Sequence, residues 1–312
     1  MIPNRLIFIW FGSAFPYGNL LALRSARRWF KPEEILLIVD DPEGIREKIE
    51  DCADWPELRL ARADAAWFRG LPHISAIATE LFAENLSPAS KANLIRLAAL
   101  YDLGGVYLDF DTITVADPAP LLAKSGFCGT EPLALPADLF RSANPLRWIA
   151  AGLRLAARQA LAYPPGGWRV FRVIEGLYPA AANNAVIGAE AGHPFLETCF
   201  RLMAALPPAE RLKRFRLGTH LLQRAVKTTA PDSRHGFDVM PVSTFYPLGP
   251  EIATHWFKPG TARGLDAMLR PDTVIVHWYN SVESRLGGKA LTREWVAAHP
   301  DTAFAEMVRR YC

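Results

Sequence analysis

The sequence predicts an α/β fold, a mostly parallel sheet flanked by helices with ligands at the carboxyl ends of its strands. Three observations predict it. Leu6–Trp10 and Ile35–Val39 are near-continuous apolar runs of the length of buried strands. Between them, Asn19 to Phe30 has the spacing of a helix, with Leu20, Leu23, Ala26 and Phe30 on one side. The alternation then continues through a helix around Gly44 to Asp51, a weaker strand at Leu58 to Ala61, and a long helix that runs into a further apolar strand. At 312 residues, half of them apolar, the chain is long enough for one large domain covering 1–312.

Composition excludes several classes of function. A net charge of +3 and a pI near 8.7 are too mildly basic for a nucleic-acid partner, though they suit an anionic acceptor or a membrane surface. Cys52, Cys128, Cys199 and Cys312 are scattered, with no Cys-x-x-Cys spacing, which predicts reduced thiols and neither a zinc site nor a disulfide framework. The first apolar run is six residues long before Gly12, and no later run approaches the ~20 residues of a membrane span. A cytoplasmic protein, at most peripheral to the inner face of a membrane, is the expectation.

The chemistry concentrates between Ser87 and Asp111. Ser87 can cap a helix, Pro88 fits its first position, and Leu94, Leu97, Ala98 and Tyr101 recur at helical spacing. Gly104-Gly105 ends the helix, the first glycine being suited to a left-handed closure, and Val106-Tyr107-Leu108 is a short strand. Asp109 and Asp111 follow. Two positions apart on an extended chain, they point the same way and can face one hard divalent cation while Phe110 turns into the protein. Asn93 and Arg96, three apart, share the helical face nearest this pair.

The full string Arg96…Leu-Gly-Gly-Val-Tyr-Leu-Asp-Phe-Asp111 resembles the DXD-motif glycosyltransferases of the Och1-like type, relatives of the α-1,4-galactosyltransferases and of the glucosylating domains of clostridial toxins. The resemblance implies a GT-A (Rossmann-like) fold, a Mn2+ or Mg2+ ion on the aspartates and a nucleotide-sugar donor. It also implies donor-side roles for Phe8 and Trp10 at the base, and for Asn93, Arg96, Tyr107 and Asp109 at the sugar and diphosphate. Asn93 stands where the pattern usually has an aspartate, so it brings hydrogen bonds without charge. Asn183-Asn184, opening the strand before Gly192-His-Pro, matches a second segment and supplies two more donor-cleft candidates. The terminal Val-His277-Trp278-Tyr-Asn-Ser281 is one residue shorter than the corresponding segment of the family and lacks its final tryptophan. His277 is its candidate third metal ligand, and Trp278 and Ser281 are candidate donor contacts. Asp109, Asp111, Arg96 and Asn93 form the candidate catalytic set. The carboxylates are expected to be ionised without any pKa shift.

Two other readings of the residues bear on this. Tyr-Leu-Asp109-Phe-Asp111-Thr also resembles the first motif of haloacid-dehalogenase-type phosphatases, whose first aspartate is a nucleophile. That chemistry needs a later acidic pair for magnesium, and no two aspartates after Asp111 are closer than six residues. Asp40, after the second strand, is a candidate ribose contact or a simple Asp-Asp-Pro turn.

The middle of the chain predicts a helical insertion around 131–182 on the acceptor side. From Leu139 to Ile174 there are six arginines and no acidic residue. Arg147, Arg154 and Arg158 share one face of a helix over Pro145–Ala162, with Ile149, Leu153, Ala157 and Ala160 opposite. The arginine face is either ordinary solvated surface or a contact for anionic lipid. Together these features predict a retaining, metal-dependent transferase that moves a hexose-type sugar, UDP-linked by preference, to a glycan, lipid-linked or protein acceptor in polysaccharide or surface-glycan synthesis.

Overall fold

The computed structural model describes residues 1–83, 86–213, 215–250, 252–281 and 291–312. Seven strands form the main sheet: β1 (Arg5–Trp10), β2 (Glu34–Val39), β3 (Leu58–Arg62), β4 (Gly105–Leu108), β6 (Gly126–Pro132), β7 (Ala180–Ala189) and β8 (Phe237–Met240). A two-stranded ribbon joins β5 (Thr112–Thr114) to β9 (Ile275–His277). The sheet order is β3-β2-β1-β4-β7-β6-β8. β7 lies antiparallel between β4 and β6, and the remaining pairs are parallel, so β7 alone runs against the other six.

This is the mostly parallel, helix-flanked sheet that the sequence predicts, and its apolar runs show why. Along β1, Leu6 and Phe8 enter the core on one face while Ile7 and Ile9 enter the core on the other; Leu37 and Leu36 divide in the same way along β2. A strand covered by helices on both faces must be apolar at every position.

The helix Pro88–Leu103 starts as expected, with Ser87 Oγ accepting from Ser90 N at 3.3 Å. Its end differs. Gly104 has φ 64° but ψ 175°, an extended turn and not a left-handed helical closure. Gly105 follows at φ 122°. A Cβ on Gly104 would lie 2.8 Å from Ala191 N, and one on Gly105 2.7 Å from Arg5 O, so the chain here passes too close to its neighbours for any side chain. The expected helix at Gly44 to Asp51 is two short ones, Pro42–Arg46 and Glu50–Ala53.

Between β6 and β7 the chain forms the expected helices, Pro145–Ala162 and Gly167–Ile174. β6 runs the same way as β4, so this segment leaves the sheet at the edge where β4 delivers Asp109. The longer helix lies at the surface, with Leu155 and Leu161 packed partly against the core. Of its eighteen residues only Ala151 is buried, and Leu146, Ile149 and Leu153 are exposed. The arginine face is engaged instead: Arg147 pairs with Asp138 at 2.9 Å, and Arg154 Nε donates to Leu177 O at 2.8 Å. No described helix is long and apolar enough to cross a membrane.

Candidate active site

β4 ends at Leu108 and places Asp109 at the carboxyl edge of the sheet; after Phe110, Asp111 leads straight into β5. The antiparallel register of the ribbon sets Thr112 opposite His277. That pairing brings the end of the last strand to the carboxylates. His277 Nε2 lies 2.9 Å from Asp111 Oδ1, and Trp278 N donates to Asp111 O at 2.9 Å. One ligand atom each from Asp109, Asp111 and His277 lie within 4.8 Å of one another. Phe110 is buried between them, stacked on Phe8 at 5.0 Å.

The donor set fits a hard or borderline divalent cation. Two carboxylates and one imidazole suit Mn2+, with Mg2+ better served by the oxygens alone. Asp109 Oδ1 accepts from Arg96 Nη2 at 2.8 Å and from Tyr107 OH at 2.5 Å, while its Oδ2 takes no hydrogen bond among the described residues. Asp111 Oδ2 accepts from Asn280 N at 2.9 Å. The outer contacts thus orient both carboxyl groups and leave oxygen lone pairs for an ion.

Arg96 is the hub of the neighbouring polar cluster. It is 5% exposed, its guanidinium sits 3.9 Å over the Tyr107 ring, and its Nη1 donates to Asn184 O. Asn184 Nδ2 donates to Asn93 Oδ1 at 2.8 Å. Gly218 closes over both amides: a Cβ there would lie 2.7 Å from Asn93 Nδ2 and 2.9 Å from Asn184 Nδ2. The four sequence candidates Asn93, Arg96, Asn184 and Asp109 therefore form one connected group, with Tyr107 as the platform beneath it.

The charges pull the carboxylates apart, unlike the unshifted pair expected from sequence. Burial, together with the charge of Asp111, raises Asp109 despite Arg96. Burial would raise Asp111 too, but the His277 imidazole outweighs it and holds Asp111 low. Burial would likewise lower His277, and the Asp111 charge and hydrogen bond reverse that and raise it. Without a cation the three groups thus share one proton-coupled network.

Other candidates lie elsewhere. Phe8 is fully buried in the core beneath Phe110, so it presents no face to a base. Trp10 is nearer the surface, edge-on to Phe110 at 5.7 Å, with Nε1 donating to Ala14 O at 2.7 Å. Trp278 is 2% exposed and packs edge-on against Phe257 and Phe304, so it is a core residue and not a donor contact. Asn183 points to the opposite side of β7 from Asn184. Its Oδ1 accepts from Ala185 N at 2.7 Å and from Tyr246 OH at 3.0 Å, which occupies it structurally. Ser281 is exposed at the end of the described loop, beyond Asn280. Asp40 Oδ1 accepts from Gly12 N and Asp41 N, the turn reading of that residue. His193 caps the helix Pro194–Ala204 through Phe195 N. Arg214, in the basic run before Gly218, lies outside the described residues.

Sequence reasoning missed the side chains that pack around His277. His277 lies between Tyr246, 5.4 Å away, and Tyr279, edge-on at 4.2 Å. Tyr279 OH donates to the buried Glu131 Oε2 at 3.0 Å. Nothing local marks Tyr246 or Glu131; β6 carries Glu131 here, and the turn after the short helix Val242–Phe245, tied to the chain before β9 by Val274 N on Thr244 O, carries Tyr246. Tyr279 was legible only as a neighbour of His277.

The chain is similar to known proteins in the same sense. Residues 52–128, from before the central helix to β6, match the family described as glycosyltransferase sugar-binding region containing DXD motif. Solved structures similar to it include the PaToxG glycosyltransferase, 14% identical over 99% of this chain and 87% of that one, TM-score 0.44. Mouse xyloside xylosyltransferase 1, in its apo form, is 13% identical over 88% and 96%, TM-score 0.48. The galactosyltransferase LgtC, solved with donor and acceptor sugar analogues, is 12% identical over 94% and 99%, TM-score 0.36. No curated protein sequence matches the chain. The family match spans the Asp109–Phe110–Asp111 motif, so residues 52–128 carry a region similar to the DXD-containing sugar-binding region of glycosyltransferases.

Proposed function

We propose that the protein is a metal-dependent, retaining hexosyltransferase that uses a nucleotide-sugar donor, UDP-linked by preference, with Mn2+ as its ion. Its acceptor in this reading is a glycan or lipid-linked sugar of a surface polysaccharide, met at the inner face of a membrane on the side of the 131–182 segment. The observation that carries the reading is the convergence of Asp109, Asp111 and His277 at the carboxyl end of β4.

When bound, the cation supplies Lewis-acid neutralisation of the leaving diphosphate. The protein's own groups then have separate tasks. Asp111, fixed by Asn280 N and by the backbone of Trp278, presents a carboxylate whose orientation is set before the donor arrives. Arg96 holds Asp109 and at the same time orders the Asn184 backbone, so a positive charge stands beside the donor sugar without occupying the ion's place. Asn93 and Asn184 pair amide to amide and offer their remaining donors and acceptors to sugar hydroxyls. No protein nucleophile is assigned: Asp109 is held by Arg96 and Tyr107, and a front-face attack needs none.

The phosphatase reading is weakened by the same site. Its second acidic pair has no counterpart, since the one metal-competent cluster among the described residues contains His277 in that place. A protein acceptor shares every donor-side feature and is decided by acceptor assay alone.

The test is hydrolysis of a panel of UDP- and GDP-sugars, with and without Mn2+, beside Asp111→Ala. Metal-dependent release of one nucleoside diphosphate, lost in the variant, supports the reading. Indifference to every donor with cleavage of a phosphomonoester would replace it with the phosphatase.

A further inference from the structure

The helix Pro145–Ala162 lies on the surface with Ala151 buried and Leu155 and Leu161 partly packed against the core, and it carries a second apolar stripe on its outer side. Leu146, Ile149 and Leu153, at spacings of three and four, fall on one stripe and are 70%, 58% and 67% exposed. Leaving a stripe of this kind in water costs what burying it would return, so in a folded protein it marks a surface meant to be covered. Phe140 and Trp148, edge-on to one another at 5.8 Å, and Val173 on the next helix extend the exposed apolar surface.

The charge around the stripe says what covers it. Leu139 to Ile174 contains six arginines and no acidic residue. Among the described residues Arg154 Nε donates to the Leu177 carbonyl, Arg172 bonds to the carbonyls of Ala267 and Met268 with Glu175 close by, and Arg169 is exposed beside Trp168. Apolar side chains bordered by arginine and by an amphipathic tryptophan suit the headgroup boundary of a bilayer, where leucines enter the acyl region and guanidinium groups meet lipid phosphates.

We propose that this stripe docks the protein on an anionic membrane surface. Arg154 and the exposed Arg169 are the flank of the contact, and the leucine stripe is its centre. The segment springs from the sheet edge that carries Asp109, so docking turns the candidate site toward acceptors held in the same membrane. That orientation, though not the docking, rests on the proposed transferase reaction.

The experiment is co-sedimentation of the full chain with phosphatidylcholine vesicles, with and without phosphatidylglycerol, beside the triple variant Leu146→Asp/Ile149→Asp/Leu153→Asp. All three side chains are exposed, so the variant keeps its fold, verified by circular dichroism. Wild type is expected to bind only the anionic vesicles, and the variant to bind them at least about 100-fold more weakly. Metal-dependent donor hydrolysis in solution stays equal in the two proteins. Failure of wild type to bind anionic vesicles, or equal binding by the variant, overturns the proposal. A concentration-dependent dimer in light scattering that the variant abolishes also overturns it, because the stripe would then belong to a second copy. Absence of donor hydrolysis in both proteins sinks the transferase reading alone and leaves the vesicle result standing.

Discussion

The backbone amide of Asn280 donates to Asp111 Oδ2 at 2.9 Å across 169 positions of sequence. Together with Trp278 N on Asp111 O, it fixes the aspartate through main-chain groups that no side-chain substitution removes. His277 contributes only its imidazole to this arrangement. His277→Ala removes a buried ring hydrogen-bonded to Asp111 and is expected to lose about 1–3 kcal/mol of stability while weakening Mn2+ binding by at least about tenfold. Calorimetric titration of the donor-free protein with Mn2+ reads this directly. Unchanged affinity would remove His277 from the ligand set.

Arg96 is a different case, because its partners depend on the planar fork. It reaches Asp109, Tyr107 OH and Asn184 O at once, which a lysine ammonium cannot reproduce. Arg96→Lys is expected to lose about 100-fold in kcat/KM for the donor, and Arg96→Ala to lose about 3 kcal/mol of stability through the uncompensated charge of Asp109. Urea unfolding and donor kinetics separate the two effects. Near-normal turnover in the lysine variant would show that charge alone is required.

Tyr279 holds φ at 59°, a conformation that a bulky side chain adopts only under constraint. The constraint is its hydroxyl on Glu131, and its ring stands edge-on to His277 at 4.2 Å. Tyr279→Phe keeps the ring and loses the tether. Its expected costs are about 1–3 kcal/mol of stability and a several-fold rise in the Mn2+ concentration needed for half-maximal activity. A double-mutant cycle with Glu131→Gln should give a coupling of about 1 kcal/mol; additive effects would mean that the two residues act independently.

Two glycines predict opposite outcomes. Gly105→Ala forces a Cβ against the Arg5 carbonyl at φ 122°, backbone against backbone, and should destabilise the protein by more than about 2 kcal/mol. Gly218→Ala meets only the ends of the Asn93 and Asn184 side chains, which can rotate away. It should melt near wild type yet lose donor kcat/KM, because the displaced amides are the proposed sugar contacts. A variant as active as wild type would clear Asn93 and Asn184 of that role.

What the sequence made legible follows the range of the interactions. The cap at Ser87, the double glycine and the i, i+2 carboxylates are local, and the structure keeps their order, altering only the geometry at Gly104. Asn93 and Arg96 share a face because helical spacing alone decides it. Phe8 and Trp278 could not be placed in this way: an aromatic at a strand end reads the same whether it faces the core or a ligand, and only the packing of Phe110 or Phe304 against it decides. The same holds for the Pro145–Ala162 helix, whose two faces were visible but whose orientation depends on Tyr178 and Leu177 bonding to Arg154. Glu131 and Tyr246 left no sequence signal because long-range packing alone, of β6 and of the turn after the helix Val242–Phe245, carries them to His277.

Away from the site, Arg27 and Glu57 give a pH dependence of known sign. Arg27 Nε donates to Glu57, and its guanidinium stacks 4.4 Å from the Trp55 ring. Burial alone would raise the Glu57 pKa, but the Arg27 hydrogen bond and charge outweigh it and hold the carboxyl below its ordinary 4.5. A carboxyl depressed on folding contributes stability that is present above its unfolded value and lost as pH falls through its folded value. Glu57→Gln should therefore be less stable than wild type at pH 7, with the gap narrowing from about pH 5 downward and closing once both states protonate the wild-type carboxyl. The Arg27–Trp55 stack does not titrate in this range and remains in both proteins. Urea unfolding of the pair at neutral and acid pH provides the measurement, and a gap that persists in acid would assign the contribution of Glu57 to packing instead of charge.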